Sequence, residues 1–484
     1  MAERLTTDVL IIGGGVSGLS ARRWLQRLGV QDVLLVEMDA HTGGNAACGQ
    51  NAVSAYPFGA HYLPVPDLRS EELLQFLRES DVITGDDANK RPIYNDYFLC
   101  HDPEERLFIN GYWQEGLVPE TGVPDSDKQQ ISRFFQLVER YKLAKGSDGL
   151  DVFAIPLDRS STDAQFRQLD TSSFASYLDK EGFTSPYLRW YLTYCCRDDY
   201  GATLETTSAW AGIHYFASRK GQAANAGAAS VLTWPQGNGF LVDQLRKQAN
   251  SPIRQHLLGY DLQLNDTDGV IVKTCDVIAN CTIEIKARKV IMATPQFINK
   301  HLLRTVDPER AALTGFHYAP WMVANLTISG LPQGRGLPLC WDNVLYDTAS
   351  VGYITANHQD LQSGLQKVIT YYKPLTDLEP DVARRAAYTT PYEQWLSHIM
   401  EELEVAHPGI TPYVSQADIW IWGHGMIAPA PGFIWGAERQ RAAQTLANRV
   451  FFAHSDLSGI SIFEEAFYQG IRAAQEAVKV MNNG

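Results

Sequence analysis

The sequence predicts an α/β fold with a dinucleotide-binding domain and a second, mixed α/β domain. Three observations predict it. A strand–glycine turn–helix–strand unit opens the chain at 8–37, a strand ending in Ala-Thr-Pro lies at 289–295, and a short strand followed by a helix rich in small residues closes it at 449–480. With 484 residues, 45% hydrophobic and 20% charged, the chain can bury a large core without disulfides or metals. The formal net charge of −14 argues against a nucleic-acid partner, because phosphate binding wants clustered Lys and Arg. The seven cysteines form no Cys-x-x-Cys pair, so no zinc site or other metal centre is expected. No run of about 18 apolar residues predicts a membrane span, and the N-terminus has no signal-peptide pattern. The expected setting is cytoplasmic, and the expected partner is a small molecule.

The opening unit carries the clearest chemistry. Asp8–Ile12 reads as a buried strand, Leu19–Leu28 as a helix stopped by Gly29, and Val33–Glu37 as a second strand. Gly13, Gly15 and Gly18 have the G-x-G-x-x-G spacing. The first glycine permits the tight turn, the second lets backbone approach a pyrophosphate, and the third lets helix pack on strand. Val16 and Ser17 sit at the helix N-terminus, whose free N–H groups and positive dipole end attract phosphate. Glu37 stands near the distance from the glycines expected of the acid that bonds ribose hydroxyls, with Met38 following it. Together these make a Rossmann-like dinucleotide site, open at this point to NAD or FAD.

The residues that follow resemble the flavin amine oxidase and phytoene-desaturase superfamily. Gly43-Gly44-Asn45 matches a Gly-Gly-Arg stretch that runs along the dinucleotide there, with Asn45 in place of the arginine. Tyr56–Pro64 is similar to a G-x-H stretch that lies beside the flavin, which implies that Gly59, Ala60 and His61 face the ring. Trp234–Leu245 resembles a G-G-x-x-x-L segment. The strands expected around the turn 265–269 place Leu258 where a backbone stacks on adenine, and Lys289–Pro295 resembles V-I-x-A-x-P and adds Ala293. At the C-terminus, Phe452–Asp456 resembles F-A-G-[DE]. This implies Asp456, with Ser455 as the alternative, as the acid near the ribityl or phosphate region. Ile462 or Phe463 then starts the helix aimed at the flavin. The resemblance implies a GR2-type FAD-binding domain from 1–70, 225–300 and 435–484, and a substrate domain from 71–224 and 301–434.

The resemblance also implies the reaction. FAD takes a hydride at N5 while the protein orients substrate. Amine oxidases of this type carry a lysine near N5 on the strand expected at 321–328, where this chain has Ala324 or Asn325; Lys300 is the nearest lysine. Trp420, Trp422 and His424 alternate on one strand and share a face. Trp420 reads as core. His424, Trp422 and His61 are the candidate catalytic residues, with His317, Tyr318 and Trp321 in a second tier. Tyr191, Tyr194, Tyr200 and Trp210 read as core of an aromatic-rich helical block. The expected activity is that of an FAD-dependent, amine-oxidase-like oxidoreductase acting on a small or medium organic substrate. A flavin-dependent desaturase or isomerase on an apolar substrate, and a non-catalytic escort-type binding protein, are the alternatives.

Overall fold

A computed structural model describes residues 3–265, 269–332, 334–360, 364 and 366–483. Most of the turn expected at 265–269 therefore lies outside the described residues. The chain divides into two compact units. One comprises Met1–Ala47, Gly239–His317 and Phe433–Gly484; the other comprises Cys48–Asn238 and Tyr318–Gly432. Residues 48–70 and 225–238, assigned above to the dinucleotide-binding stretches, fall in the second unit. Tyr62–Pro64 pairs antiparallel with Val231–Thr233, and both are tied to the second unit: the Cys100 N–H donates to the Val231 carbonyl and the Tyr372 hydroxyl to the Gly59 carbonyl, each at 2.9 Å.

The first unit holds a seven-stranded sheet. Glu3–Ile12 runs parallel to Val33–Val36 on one side and to Cys281–Met292 on the other. Ile253–Arg254 continues the parallel order beyond Val33–Val36. The far edge of Cys281–Met292 is shared: its first half pairs antiparallel with Val270–Asp276, and its last residues pair parallel with Val450–Phe452. Parallel strands covered on both faces need apolar residues in succession; Val33–Val36 and Val450–Phe452 are buried throughout.

Helix Val16–Arg27 leaves the first strand through the glycine turn and packs on the C-terminal helix Phe463–Asn483. Gly470 makes this contact possible, because a Cβ there would overlap the Ser17 carbonyl oxygen. The Ser20 hydroxyl donates to the Phe467 carbonyl at 2.7 Å across the same contact. Buried Arg22 donates to the Ser251 and Ala249 carbonyls at 2.9 and 2.8 Å. It also donates to the Arg246 carbonyl at 3.1 Å, an acceptor left in the last turn of helix Gly239–Lys247.

The second unit is built on another seven-stranded sheet, in the order Val414–Ile427, Tyr318–Ser329, Gln366–Pro374, Tyr353–Thr355, Asp342–Leu345, Glu105–Ile109 and Tyr112–Glu115. Strand alternation sorts its side chains between two cores. Met322, Ala324, Leu326 and Ile328 pack in one core with Trp395, Ile399 and Leu403 of helix Tyr392–Ala406. Ala319, Trp321 and Val323 point the other way, into a core shared with Tyr194 and Cys195 of helix Pro186–Tyr200.

Candidate active site

The cradle in the first unit is made from the glycine turn and what lies against it. Gly13 has φ +104°, and a Cβ there would stand 2.6 Å from the Ala293 carbonyl oxygen. A Cβ on Gly18 would overlap the Gly13 carbonyl. Gly15 is different: nothing lies within 4 Å of the position its Cβ would take. The turn is therefore closed at its first and third glycines and open at its second. Glu37 accepts a hydrogen bond from the Gly14 N–H at 2.6 Å. The Gly43 N–H donates to the Gly14 carbonyl at 2.9 Å, and Gly15 bridges to Gly43. The Gly43-Gly44 doublet thus packs on the glycine turn, leaving Asn45 exposed beside it. Leu258 is held nearby through its neighbour, because the Leu257 N–H donates to the Glu37 carbonyl at 2.8 Å.

Val16 and Ser17 begin the helix, and both are buried. The Ser17 hydroxyl has no hydrogen-bond partner among the described residues. A buried polar atom without a partner costs stability unless a ligand satisfies it. At the other end of the chain, the Ile462 carbonyl accepts the first bond of the helix, from the Ala466 N–H at 3.2 Å, and Phe463 is its first full residue. Asp456 is buried, and one carboxylate oxygen accepts from the Gln296 N–H at 2.9 Å while the other lies 2.9 Å from His454 Nδ1. The contacts of Asp456 tie the 454–457 turn to the start of helix Gln296–Leu303. Met38 is exposed, as is Lys300 in that helix.

The second unit presents a different surface. Segment 58–61 lies on the sheet face that carries Trp420, Trp422 and Tyr372. Phe58 stacks on Trp420 with ring centres 4.7 Å apart, and its carbonyl accepts from Trp422 Nε1 at 2.6 Å. The Gly59 carbonyl accepts from the Tyr372 hydroxyl at 2.9 Å, and the His61 ring stacks on Tyr372 at 4.7 Å. Gly237, at φ +56°, supports the segment from behind; a Cβ there would stand 2.7 Å from the Ala60 carbonyl oxygen. Burial pulls the His61 imidazole down to about 4, opposed by a hydrogen bond to the Gly59 backbone. His61 is therefore neutral at physiological pH. His424 sits further along the strand, edge-on to Tyr318 with ring centres 5.7 Å apart.

Around His61 the same unit gathers a cluster of aromatic rings and acids, among them half-buried Tyr62, Asp198 and Asp342. Trp341 lies 5.7 Å from His61 and 6.0 Å from Tyr62, measured between ring centres. Arg219 grips both oxygens of Asp199 at 3.0 and 2.9 Å and reaches the Tyr62 hydroxyl at 3.3 Å. The Tyr194 hydroxyl donates to Asp342 at 3.4 Å. Burial, with Asp199 close by, lifts the Asp198 carboxyl to about 7; burial, with Asp198 and Glu105 near it, holds the Asp342 carboxyl well above its ordinary range.

Residues 11–80 match the model of an NAD(P)-binding Rossmann-like domain. No curated protein matches the sequence. Among solved structures, a putrescine oxidase redesigned in its cofactor binding superposes with a TM-score of 0.73 at 14% identity, over 99% of this chain and 100% of that one. The fold is that of the flavin amine oxidases. Cyclohexylamine oxidase from Brevibacterium oxydans has the same fold, with a TM-score of 0.67 and 14% identity over 99% of both chains. So does a CLA-producing fatty acid isomerase from P. acnes, with a TM-score of 0.65 and 14% identity over 97% of this chain and 98% of that one.

Within this amine oxidase fold the expected site residues separate into two groups. Gly13, Gly15, Val16, Ser17, Gly18, Glu37, Gly43, Gly44 and Ala293 belong to one contiguous cradle. Gly59, Ala60, His61 and Trp422 belong to one surface of the second unit. Of the two residues expected where a lysine is usual, Asn325 shares the face of Trp321 and Val323, while Ala324 points into the opposite core. Asn325 accepts from the Thr370 hydroxyl at 2.7 Å.

Tyr200 and Trp210 are core residues, as expected, with the Tyr200 hydroxyl donating to the Ala211 carbonyl at 2.8 Å. Tyr194 is buried in the core as well, and its hydroxyl meets Asp342. Sequence reasoning missed Asp198, Arg219, Trp341, Asp342 and Tyr372. One signal was present: Asp198 and Asp199 are adjacent acids at the end of a helix rich in aromatic residues.

Proposed function

We propose that the chain is an FAD-dependent oxidoreductase of the amine oxidase type, acting on a small or medium organic amine. The observation that carries this reading is the cradle. Its turn is open only at Gly15, and a buried hydroxyl at Ser17 waits at a helix N-terminus for an acceptor. Those features fit a dinucleotide pyrophosphate. Gly13, Gly15, Val16, Ser17 and Gly18 hold the phosphates, and Glu37 with Met38 takes the adenosine ribose. Gly43, Gly44 and Asn45 follow the dinucleotide, and Leu258 and Ala293 flank it. Asp456, Ile462 and Phe463 serve its ribityl and ring end, with Gly59, Ala60 and His61 at the ring. The chemistry FAD supplies when bound is acceptance of a hydride at flavin N5.

This chain's own residues bind and orient the substrate. The acids gathered near His61 favour an amine over the apolar substrate of a desaturase or isomerase, because an apolar ligand would leave their carboxyls without a polar partner. His61, neutral at physiological pH, and His424 are the candidate catalytic histidines. Trp422 forms an aromatic wall. An escort protein has no need of a complete dinucleotide cradle, so that alternative is disfavoured.

Among the described residues no helix is long and apolar enough to cross a membrane; a cytoplasmic setting is proposed with the function. The visible absorption spectrum of the purified protein, before and after acid precipitation, tests the reading. Flavin bands that move to the supernatant, with peroxide or dye reduction on an amine panel, support it. A colourless protein that takes up no added FAD overturns it.

A further inference from the structure

Asn238 is 2% exposed, and its Oδ1 has no hydrogen-bond partner among the described residues. Its backbone, by contrast, is fixed. The Asn238 N–H donates to the Ala60 carbonyl at 3.0 Å, and the Gly237 N–H donates to the Trp234 carbonyl at 2.8 Å. A Cβ on Gly237 would stand 2.7 Å from Pro57 Cβ and 2.9 Å from His61 Cα. The turn 234–238 therefore lies directly against segment 57–61, and the Asn238 amide starts from a fixed point beside Ala60.

The usual reasons for an asparagine at such a place do not apply. An asparagine directly before a helix caps it when its side-chain oxygen accepts from the second or third N–H. In a turn it bonds backbone two residues on. Asn238 ends the turn and directly precedes helix Gly239–Lys247, yet its Oδ1 accepts neither bond. A buried amide without a partner costs stability, and a fold tolerates it where a ligand completes the bond.

The form of that ligand follows from the amide. It offers an acceptor and two donors, and no bond to Oδ1 fixes which end faces outwards. Rotation about the last torsion exchanges the two ends in place. Its complement is a ligand edge that carries a donor and an acceptor side by side. The pyrimidine edge of an isoalloxazine is of this kind, with N3–H set between two carbonyl oxygens. A phosphate or carboxylate is not, since it brings acceptors only.

We propose that Asn238 is a cofactor-binding residue whose amide pairs with the N3–H and an adjoining carbonyl of the flavin ring. This rests on the FAD-dependent reading above and adds to it the residue that recognises the ring by its pyrimidine edge.

The experiment titrates the full chain, freed of bound flavin, with FAD and with FAD methylated at N3, followed by flavin fluorescence. The unaltered protein should bind FAD about tenfold or more tightly than the N3-methyl form. Asn238→Ala removes the amide and leaves room for the methyl group. It should lose about tenfold in FAD affinity and bring the ratio of the two flavins towards one. Asn238→Leu replaces the amide by an apolar group of similar size. It should bind FAD as weakly as Asn238→Ala, while its flavin-free form melts no lower than the unaltered protein, because no internal side-chain bond is lost. A merely structural role would lower the melting temperature and leave the ratio unchanged. FAD affinity kept in both variants, or a ratio kept in Asn238→Ala, overturns the proposal and leaves the oxidoreductase reading standing. Equal binding of the two flavins by the unaltered protein does the same. An unaltered protein that takes up neither flavin overturns that reading, and the proposal with it.

Discussion

The hydroxyl of Tyr372 donates to the carbonyl of Gly59 at 2.9 Å. The ring of the same tyrosine stacks on His61, so one side chain sets both the height of the 58–61 segment and the plane of its imidazole. Tyr372→Phe keeps the stacking and removes the bond. The expected cost is about 0.5–1.5 kcal/mol of stability. A several-fold fall in kcat/KM should accompany it if segment 58–61 meets the reacting centre. Thermal melting and steady-state kinetics on one amine check the pair; full activity would show that the bond is only structural.

The two glycines Gly15 and Gly18 should respond oppositely to alanine. Gly15→Ala meets nothing within 4 Å in the protein, so stability should change by no more than a few tenths of a kcal/mol, as at other helix N-caps. FAD affinity should fall at least about tenfold, because the added methyl stands where backbone must approach phosphate. Gly18→Ala drives a methyl into the Gly13 carbonyl and should destabilise the apoprotein itself. Melting curves of both apoproteins, with fluorescence titration of FAD, separate the two effects.

Glu37→Gln preserves shape and removes charge. The Gly14 N–H would then face a neutral acceptor in place of a carboxylate, a weaker partner. FAD binding should weaken about tenfold with little loss of fold. Unchanged affinity measured by the same titration would remove Glu37 from the ribose role.

His61 makes a prediction in pH. Its folded value is depressed to about 4, mainly by burial, from the ordinary 6.5. The folded state then binds fewer protons than the unfolded chain between those limits. The stability this contributes is complete above about pH 6.5 and is lost as pH falls towards 4. The span corresponds to at most about 3 kcal/mol. His61→Gln should flatten the acid side of the stability profile over that window. Denaturant melts at pH 7, 5.5 and 4.5 test it; an unaltered profile would mean that another group carries the acid sensitivity.

Much of the cradle was legible because its information is local. The strand, glycine turn, helix, second strand and Glu37 follow one another within 37 residues, and each is dictated by periodicity or backbone freedom. The C-terminal helix was legible for a related reason: Gly470 and its neighbouring alanines mark a helix that must approach another closely. Which residue it meets, the Ser17 carbonyl, was not written in that pattern.

The cluster of rings and acids around His61 could not be read this way. Tyr62, Asp198, Arg219, Asp342 and Tyr372 lie far apart in sequence, and no periodicity links them. Tyr194 is core, as aromatic residues at helical spacing usually are, but that its hydroxyl faces Asp342 is not visible in sequence. The choice between Ala324 and Asn325 likewise waited on strand register, since a shift of one residue exchanges the two faces.

The sequence by itself determined the dinucleotide turn and the α/β class, since these depend on residues close together in the chain and on the backbone conformations that glycine permits. Tertiary structure alone decided that Asp199 is matched by Arg219 while Asp198 and Asp342 are not. Electrostatic balance in a buried space depends on which side chains are brought within a few ångströms, and only packing brings them there.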